Sequence, residues 1–81
     1  MSDIDKAISI MEELEDDETV STNVKEKISD LREELENTDD DEKRLAINKV
    51  LSELEEISND VNVPAFVRTQ IWHITSTLEA S

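Results

Sequence analysis

The feature that most constrains the fold of this chain is an internal repeat with an offset of 43 residues, which places residues 4–35 onto residues 47–78. Asp17 and Asp60 are identical across the repeat, and Lys25 and Arg68 keep their charge. The apolar positions that coincide are Ile4 with Ile47, Ala7 with Val50, Ile8 with Leu51, Met11 with Leu54, Leu14 with Ile57, Val20 with Val63, Val24 with Val67, Ile28 with Ile71, Leu31 with Ile74, and Leu35 with Leu78. This agreement indicates that a pair of helices occurs twice in the chain.

The apolar residues are spaced three and four apart in four segments of helix length, which is the period of an amphipathic helix. The chain has no Gly and one Pro, so its turns must form from Asp, Asn, Ser and Thr. Three clusters of these residues, at 16–22, 36–41 and 58–64, separate the segments. The sequence therefore predicts four helices.

Capping residues predict where these helices begin. Ser2 can accept a backbone N–H from the first turn of helix 1. Pro64 fits the first turn of helix 4, because the N–H groups there lack intrahelical partners. We expect Leu45 to extend the flank of the buried stripe of helix 3, and Arg68 to be a structural partner for Asp60 or its turn.

We predict an all-α fold: an up-and-down four-helix bundle built from two duplicated helical hairpins, residues 3–36 and 40–79, in a single domain over residues 1–81. Short connections favour antiparallel neighbouring helices. The alternative is a pair of stacked HEAT-like repeats. Because stacking needs about three repeats for a continuous core, a bundle that closes on itself is the preferred prediction.

Charge and cysteine content limit the possible environments and partners. The formal net charge is -14, which disfavours direct binding to nucleic acid or to an anionic membrane. The chain lacks Cys, the start of a signal peptide and any bilayer-length apolar run, so we expect a cytoplasmic protein. Basic proteins are possible partners, although acidic faces also serve simply to keep a protein soluble.

The sequence contains none of the residue sets that we associate with catalysis or cofactor binding. His73 is the only histidine and position 70 is Gln, so one chain cannot supply a two-histidine metal site. Phosphate-binding loops and the calcium-binding loop need Gly, and this chain has none. We predict no catalytic residue, cofactor or metal ligand. An enzyme stays as an alternative only if its site is shared across an oligomer interface.

The segment SNDVNVP at residues 58–64, continuing through RTQIWHI at 68–74 to Leu78 and Glu79, resembles the C-terminal signature of a small archaeal family, uncharacterised protein family 0147. The resemblance covers the last third specifically and the rest by length and pattern. It implies a compact four-helix bundle of cytoplasmic archaeal origin, and it implies no activity because the family has none assigned. Ser21 stands where the family has a Pro resembling Pro64, so we expect a looser first turn.

The two copies differ most in charge. No acidic residue occurs from Val61 to Leu78, whereas the preceding sixty residues hold 21 of the 22 Asp and Glu. At 100° per residue, Phe66 and Trp72 fall about 110° and 130° from the centre of the buried stripe of helix 4, on opposite sides. They either pack along neighbouring helices or belong to an interface. The candidate interface residues are Phe66, Thr69, Gln70, Trp72, His73, Ser76 and Thr77.

From these observations we expect a non-enzymatic helical protein-protein interaction module that docks through helix 4. Charged residues are depleted and aromatic residues enriched in the cores of such interfaces. The expected partner is a second copy, giving a dimer, or another cytoplasmic protein. The alternative function is acidic mimicry, in which the carboxylates of helices 1 to 3 bind basic proteins.

Overall fold

The computed structural model describes residues 3–80, and over these residues the chain is helical with no strand. The four α-helices are α1 (Asp3–Asp16), α2 (Thr22–Asn37), α3 (Lys43–Ser58) and α4 (Ala65–Glu79), and a short 3-10 helix (Asp40–Glu42) precedes α3. The all-α prediction is confirmed. The expected cap at Ser2 lies outside the described residues.

The helices form a closed ring of neighbours. α1 packs against α2 and α4, and α3 packs against the same two helices. Over residues 3–80, no Cα atoms of the diagonal pairs α1 with α3 and α2 with α4 come within 8 Å. Stacked HEAT-like repeats would place α1 beside α3, so that alternative is wrong. The ring joined by short turns is the predicted up-and-down bundle.

The core is built from the repeated apolar positions. Met11, Leu35, Val50, Leu54 and Ile74 are completely buried. Ala7, Leu14, Val20, Val24, Ile28, Leu31, Ile47, Ile57, Val63, Val67, Ile71 and Leu78 complete the same cluster. Ile4, Ile8, Ile10 and Leu51 are partly buried against it. Each helix therefore contributes one stripe, as the period of the sequence predicts.

The expectation for Leu45 is wrong. Its side chain is 69% exposed, whereas the adjacent Ala46 is buried. Leu45 lies about 160° around α3 from the centre of the stripe formed by Ile47, Val50, Leu54 and Ile57, so it faces away from the core.

The turns before α2 and α4 have the same backbone hydrogen bonds, which shows the repeat at atomic detail. The N–H of Val20 donates to the carbonyl of Asp17, and that of Val63 donates to Asp60, both at 3.1 Å. The Asp17 carboxylate also accepts from the N–H of Thr19 at 2.8 Å, and the Asp60 carboxylate accepts at 2.9 Å from Asn62. The two turns therefore share these hydrogen bonds, and the second also accepts two from the Arg68 side chain. The expectation of a looser first turn stays a prediction.

Ser21 and Pro64 begin their helices in different ways. Ser21 is the N-cap of α2, and its hydroxyl accepts from the N–H of Val24 at 3.3 Å. Pro64 is likewise the N-cap of α4. It therefore precedes the first turn, where the sequence analysis had placed it. The Pro64 carbonyl accepts from the N–H groups of Val67 and Arg68 at 3.1 and 3.2 Å. In α2, the corresponding N–H of Val24 donates to the Ser21 hydroxyl instead.

Charged side chains form ion pairs between neighbouring helices. The guanidinium of Arg32 in α2 binds both carboxylate oxygens of Glu15 in α1, at 2.6 and 3.1 Å, and also contacts Glu36. These hydrogen bonds to Glu15 and Glu36 raise the pKa of Arg32 above its ordinary value. Lys49 in α3 pairs with Glu34 in α2 at 3.2 Å. The charged links therefore join α2 to both of its neighbours.

Candidate interaction surface on α4

α4 has a buried inner face and an exposed outer face. Val67, Ile71, Ile74 and Leu78 point inward and are at most 2% exposed. Arg68 fixes the start of the helix, because it donates from Nε to the carbonyl of Ser58 at 3.1 Å and from Nη2 to that of Asp60 at 2.8 Å. Arg68 is thus a structural partner of the turn, as predicted.

Trp72 lies on the α3 side of α4 and is 65% exposed. It lines a groove of about 290 Å³ together with Leu51, Ser52 and Glu55 of α3. Its indole lies beside the imidazole of His73, with ring centroids 5.5 Å apart. Most of the Trp72 side chain is therefore not packed along a neighbouring helix, contrary to that interpretation. Its remaining surface lines the groove beside α3.

Phe66 lies on the α1 side of α4 and is 42% exposed. It lines a second groove, of about 360 Å³, with Glu13 and Leu14 of α1 and with Thr69 and Gln70 of α4. The two aromatic residues are six positions apart, a rise of about 9 Å along the helix. Trp72 and Phe66 therefore border the outer face of α4 on opposite sides.

Small polar side chains lie between the two aromatic residues. Thr69, His73 and Ser76 are exposed, whereas Gln70 and Thr77 are half-buried. The hydroxyl of Thr69 donates to the carbonyl of Ala65 at 3.2 Å, and that of Thr77 donates to His73 at 2.8 Å. Both hydroxyls therefore bond back to their own helix. We call the exposed residues Phe66, Thr69, Trp72, His73 and Ser76 the α4 outer face.

Carboxylates occur only at the margins of this face. Glu13 in α1 and Glu55 in α3 are exposed and line the two grooves, and Glu79 lies at the end of α4. Over residues 3–80, none of these three makes an ion pair with Lys or Arg. The surface is thus a strip with two aromatic residues and no carboxylate. It is bordered by these three carboxylates and, in the Trp72 groove, also by Arg68.

Asp17 also borders the Phe66 groove, but its carboxylate is already bonded. Hydrogen bonds from the hydroxyl and N–H of Thr19, at 2.6 and 2.8 Å, hold the pKa of Asp17 below its ordinary value. Within the described residues, no three His, Asp or Glu side chains are placed to hold a metal ion.

A model of the Uncharacterised protein family (UPF0147) matches residues 1–80. The chain belongs to this family. A UPF0147 protein of Archaeoglobus fulgidus is 40% identical over 76 residues, which cover 94% of this chain and 85% of that protein. A UPF0147 protein of Methanothermobacter thermautotrophicus is 37% identical over 71 residues, covering 88% and 69% of the two chains. The resemblance stated from the sequence is confirmed, and these relatives are archaeal.

Two solved structures share the fold. A crystal structure from UPF0147 of Thermoplasma acidophilum superposes with a TM-score of 0.83 at 38% identity, over 94% of this chain and 88% of that one. A crystal structure of MMP1188, a protein of unknown function, gives a TM-score of 0.86 at 32% identity, over 98% and 89%. All three proteins therefore share the same helical fold.

The structure adds residues to the surface that we predicted for this UPF0147 protein. Glu13 and Leu14 of α1 and Leu51 and Glu55 of α3 border the α4 outer face. A sequence pattern shows that each lies near the edge of its own stripe, but not that α1 and α3 are the neighbours of α4. In the part of the chain that the structure describes, no helix is long and apolar enough to cross a membrane.

Proposed function

We propose that this UPF0147 protein is a non-enzymatic helical interaction module that binds a partner protein through the α4 outer face. The partner is a second copy or another cytoplasmic protein. The observation that carries the proposal is the exposure of Trp72 and Phe66, at 65% and 42%, on a helix face without a carboxylate. Interface cores are depleted of charge and enriched in aromatic side chains, and Trp is the residue most enriched among binding hot spots.

Among residues 3–80, the other exposed large apolar side chains do not form a comparable surface. Leu45 is 69% exposed, but it lines a groove with the charged residues Glu34, Glu42 and Lys49. Val61 is 87% exposed and belongs to the turn between α3 and α4. Single apolar side chains on a surface are common and need no partner. The pairing of two aromatic residues across an uncharged strip therefore distinguishes α4.

The experiment compares Trp72→Ala and Phe66→Ser with the control Leu45→Ala, which also shortens an exposed apolar side chain. Tagged proteins are used for pull-down, and the mass of each purified protein is measured by light scattering. Circular dichroism first confirms that each variant is folded. We expect the two α4 variants to lose a partner protein or to fall in mass from dimer to monomer. The control should behave as the wild type. If both α4 variants keep the wild-type mass and the wild-type partners, α4 is not the interface.

A second candidate function is acidic mimicry, which the net charge of -14 favours. The exposed carboxylates of α1 to α3 would bind basic proteins without using the α4 outer face. Binding of this kind depends on charge and weakens steeply with added salt. The test is titration with polylysine at low and high salt. Affinity that is insensitive to salt would count against mimicry, and so would a strong effect of Trp72→Ala.

A further inference from the structure

The structure also indicates which class of partner protein fits the α4 outer face, and this inference rests on the proposed function. We infer that the α4 outer face receives an amphipathic helix of another protein, whose apolar stripe is flanked on both sides by Lys or Arg. Three properties of the described residues support this partner over a second copy: the area of the face, the charge at its margins and the placement of its two aromatic residues on opposite sides.

The α4 outer face is too small to hold a stable dimer by itself. α4 has 15 residues and is therefore about 22 Å long. A strip about 12 Å wide, the diameter of a helix, gives on the order of 250 Å². Stable interfaces bury about 800 Å² per partner. A second copy would therefore have to press the outer surfaces of α1 and α3 against the first.

Those flanking surfaces carry like charge. Glu13 on the α1 side and Glu55 and Glu79 on the α3 side are exposed and have no Lys or Arg partner over residues 3–80. A two-fold interface brings the same patch of both copies together, so these carboxylates would meet carboxylates. Each copy also carries a net charge of -14. Charge at the margins thus opposes a dimer through this face.

The same charges favour a basic helix. Small side chains at Thr69 and Ser76 allow a partner helix to approach α4 closely, between the rings of Phe66 and Trp72. The two rings stand on opposite sides of the outer face and about 9 Å apart along α4, so they would flank a helix that lies between them. Lys or Arg stems can cross the aromatic rings and place their charges beside Glu13 on one side and Glu55 and Glu79 on the other.

The probes for the experiment are three fluorescently labelled peptides, each about 18 residues long and helical. The first has a Leu stripe flanked by Lys. The second keeps the Leu stripe and replaces Lys with Glu, and the third keeps Lys and replaces Leu with Ser. Binding to the full-length protein is measured by fluorescence anisotropy. We expect the first peptide to bind at least about tenfold more tightly than either of the others.

Two sets of protein variants locate the site. Trp72→Ala should weaken binding of the first peptide about 30-fold, as loss of a hot spot does, while Leu45→Ala should leave it unchanged. The triple variant E13Q, E55Q and E79Q should weaken binding about tenfold, at roughly two- to threefold per carboxylate. Its control is E26Q, D30N and E33Q, which removes the same charge from α2, on the opposite side of the bundle. The control should weaken binding no more than about twofold.

The outcomes separate this inference from the proposed function. Equal binding of the Lys-Leu and Lys-Ser peptides would mean that charge alone binds them, which overturns the inference. Failure of all three peptides, together with a wild-type dimer that Trp72→Ala dissociates, would overturn the inference and leave the proposed function standing. If no peptide binds and Trp72→Ala changes neither mass nor pull-down partners, both are wrong.

Discussion

Two substitutions in α4 test which of its faces supports the fold. Trp72 is 65% exposed, so about a third of its roughly 250 Å² is covered, about 90 Å². At about 25 cal/mol per Å², burial of that area stabilises the fold by at most about 2 kcal/mol. The better helix propensity of Ala returns about 0.5 kcal/mol. We therefore expect Trp72→Ala to lower the free energy of unfolding by about 1 kcal/mol.

Ile74, two residues further along α4, is fully buried. Ile74→Ala removes three buried carbon groups at about 0.8 kcal/mol each and leaves a cavity, for a total of about 3–4 kcal/mol. A chain of 81 residues has about 4–12 kcal/mol of stability in all. The loss is therefore a large fraction of what holds the bundle together.

Urea denaturation followed by circular dichroism measures both losses. With a denaturant slope of about 1 kcal/mol per M, the midpoint should fall by about 1 M for Trp72→Ala and about 3 M for Ile74→Ala. Equal shifts, or a larger shift for Trp72→Ala, would refute the assignment of the two faces. The result also decides whether Trp72→Ala can be used in binding experiments as a folded protein.

Three further predictions concern the polar links. Arg32→Lys should lower the free energy of unfolding by about 1 kcal/mol in urea titrations, because Lys keeps the charge but cannot bind both oxygens of Glu15. If the variant is as stable as the wild type, the contact with both oxygens is dispensable. Arg68→Met should lower the midpoint of thermal unfolding by several degrees through the two lost carbonyl contacts, about 1–2 kcal/mol, and an unchanged midpoint would contradict this. The lowered pKa of Asp17 means that its contribution to stability is present above its ordinary pKa of 3.8 and is lost as pH falls through the lower folded value. Asp17→Asn should therefore reduce the acid dependence of the unfolding midpoint below about pH 4, and an unchanged pH profile would refute that role.

Most of the fold could be predicted because the repeat fixes two sets of positions at once. Leu14 with Ile57 and Leu35 with Leu78 are apolar in both copies and buried in both. The prediction for Leu45 is wrong because an apolar side chain next to a buried stripe need not belong to it. Its angle around α3 places it outside the stripe, so periodicity applied strictly would have found its exposure.

The interaction surface could be predicted only in part. The period of α4 placed Phe66 and Trp72 at the sides of the helix, where exposure depends on how closely α1 and α3 approach. Neither the extent of that approach nor the identity of the neighbouring helices is encoded in the pattern of α4 alone. Glu13 and Glu55 therefore became part of the surface only when the ring of helices was known.

The central claim is that a partner protein binds the α4 outer face, and site-specific photo-cross-linking tests it most directly. A photoreactive side chain is placed at Thr69 in one protein and at Glu33 in α2 in another, and each is irradiated in extract of the native cell. Cross-linked products are identified by mass spectrometry. We predict one prominent protein product from Thr69 that Trp72→Ala abolishes, and no such product from Glu33. The same products from both positions, or a product from Glu33 alone, would contradict the claim.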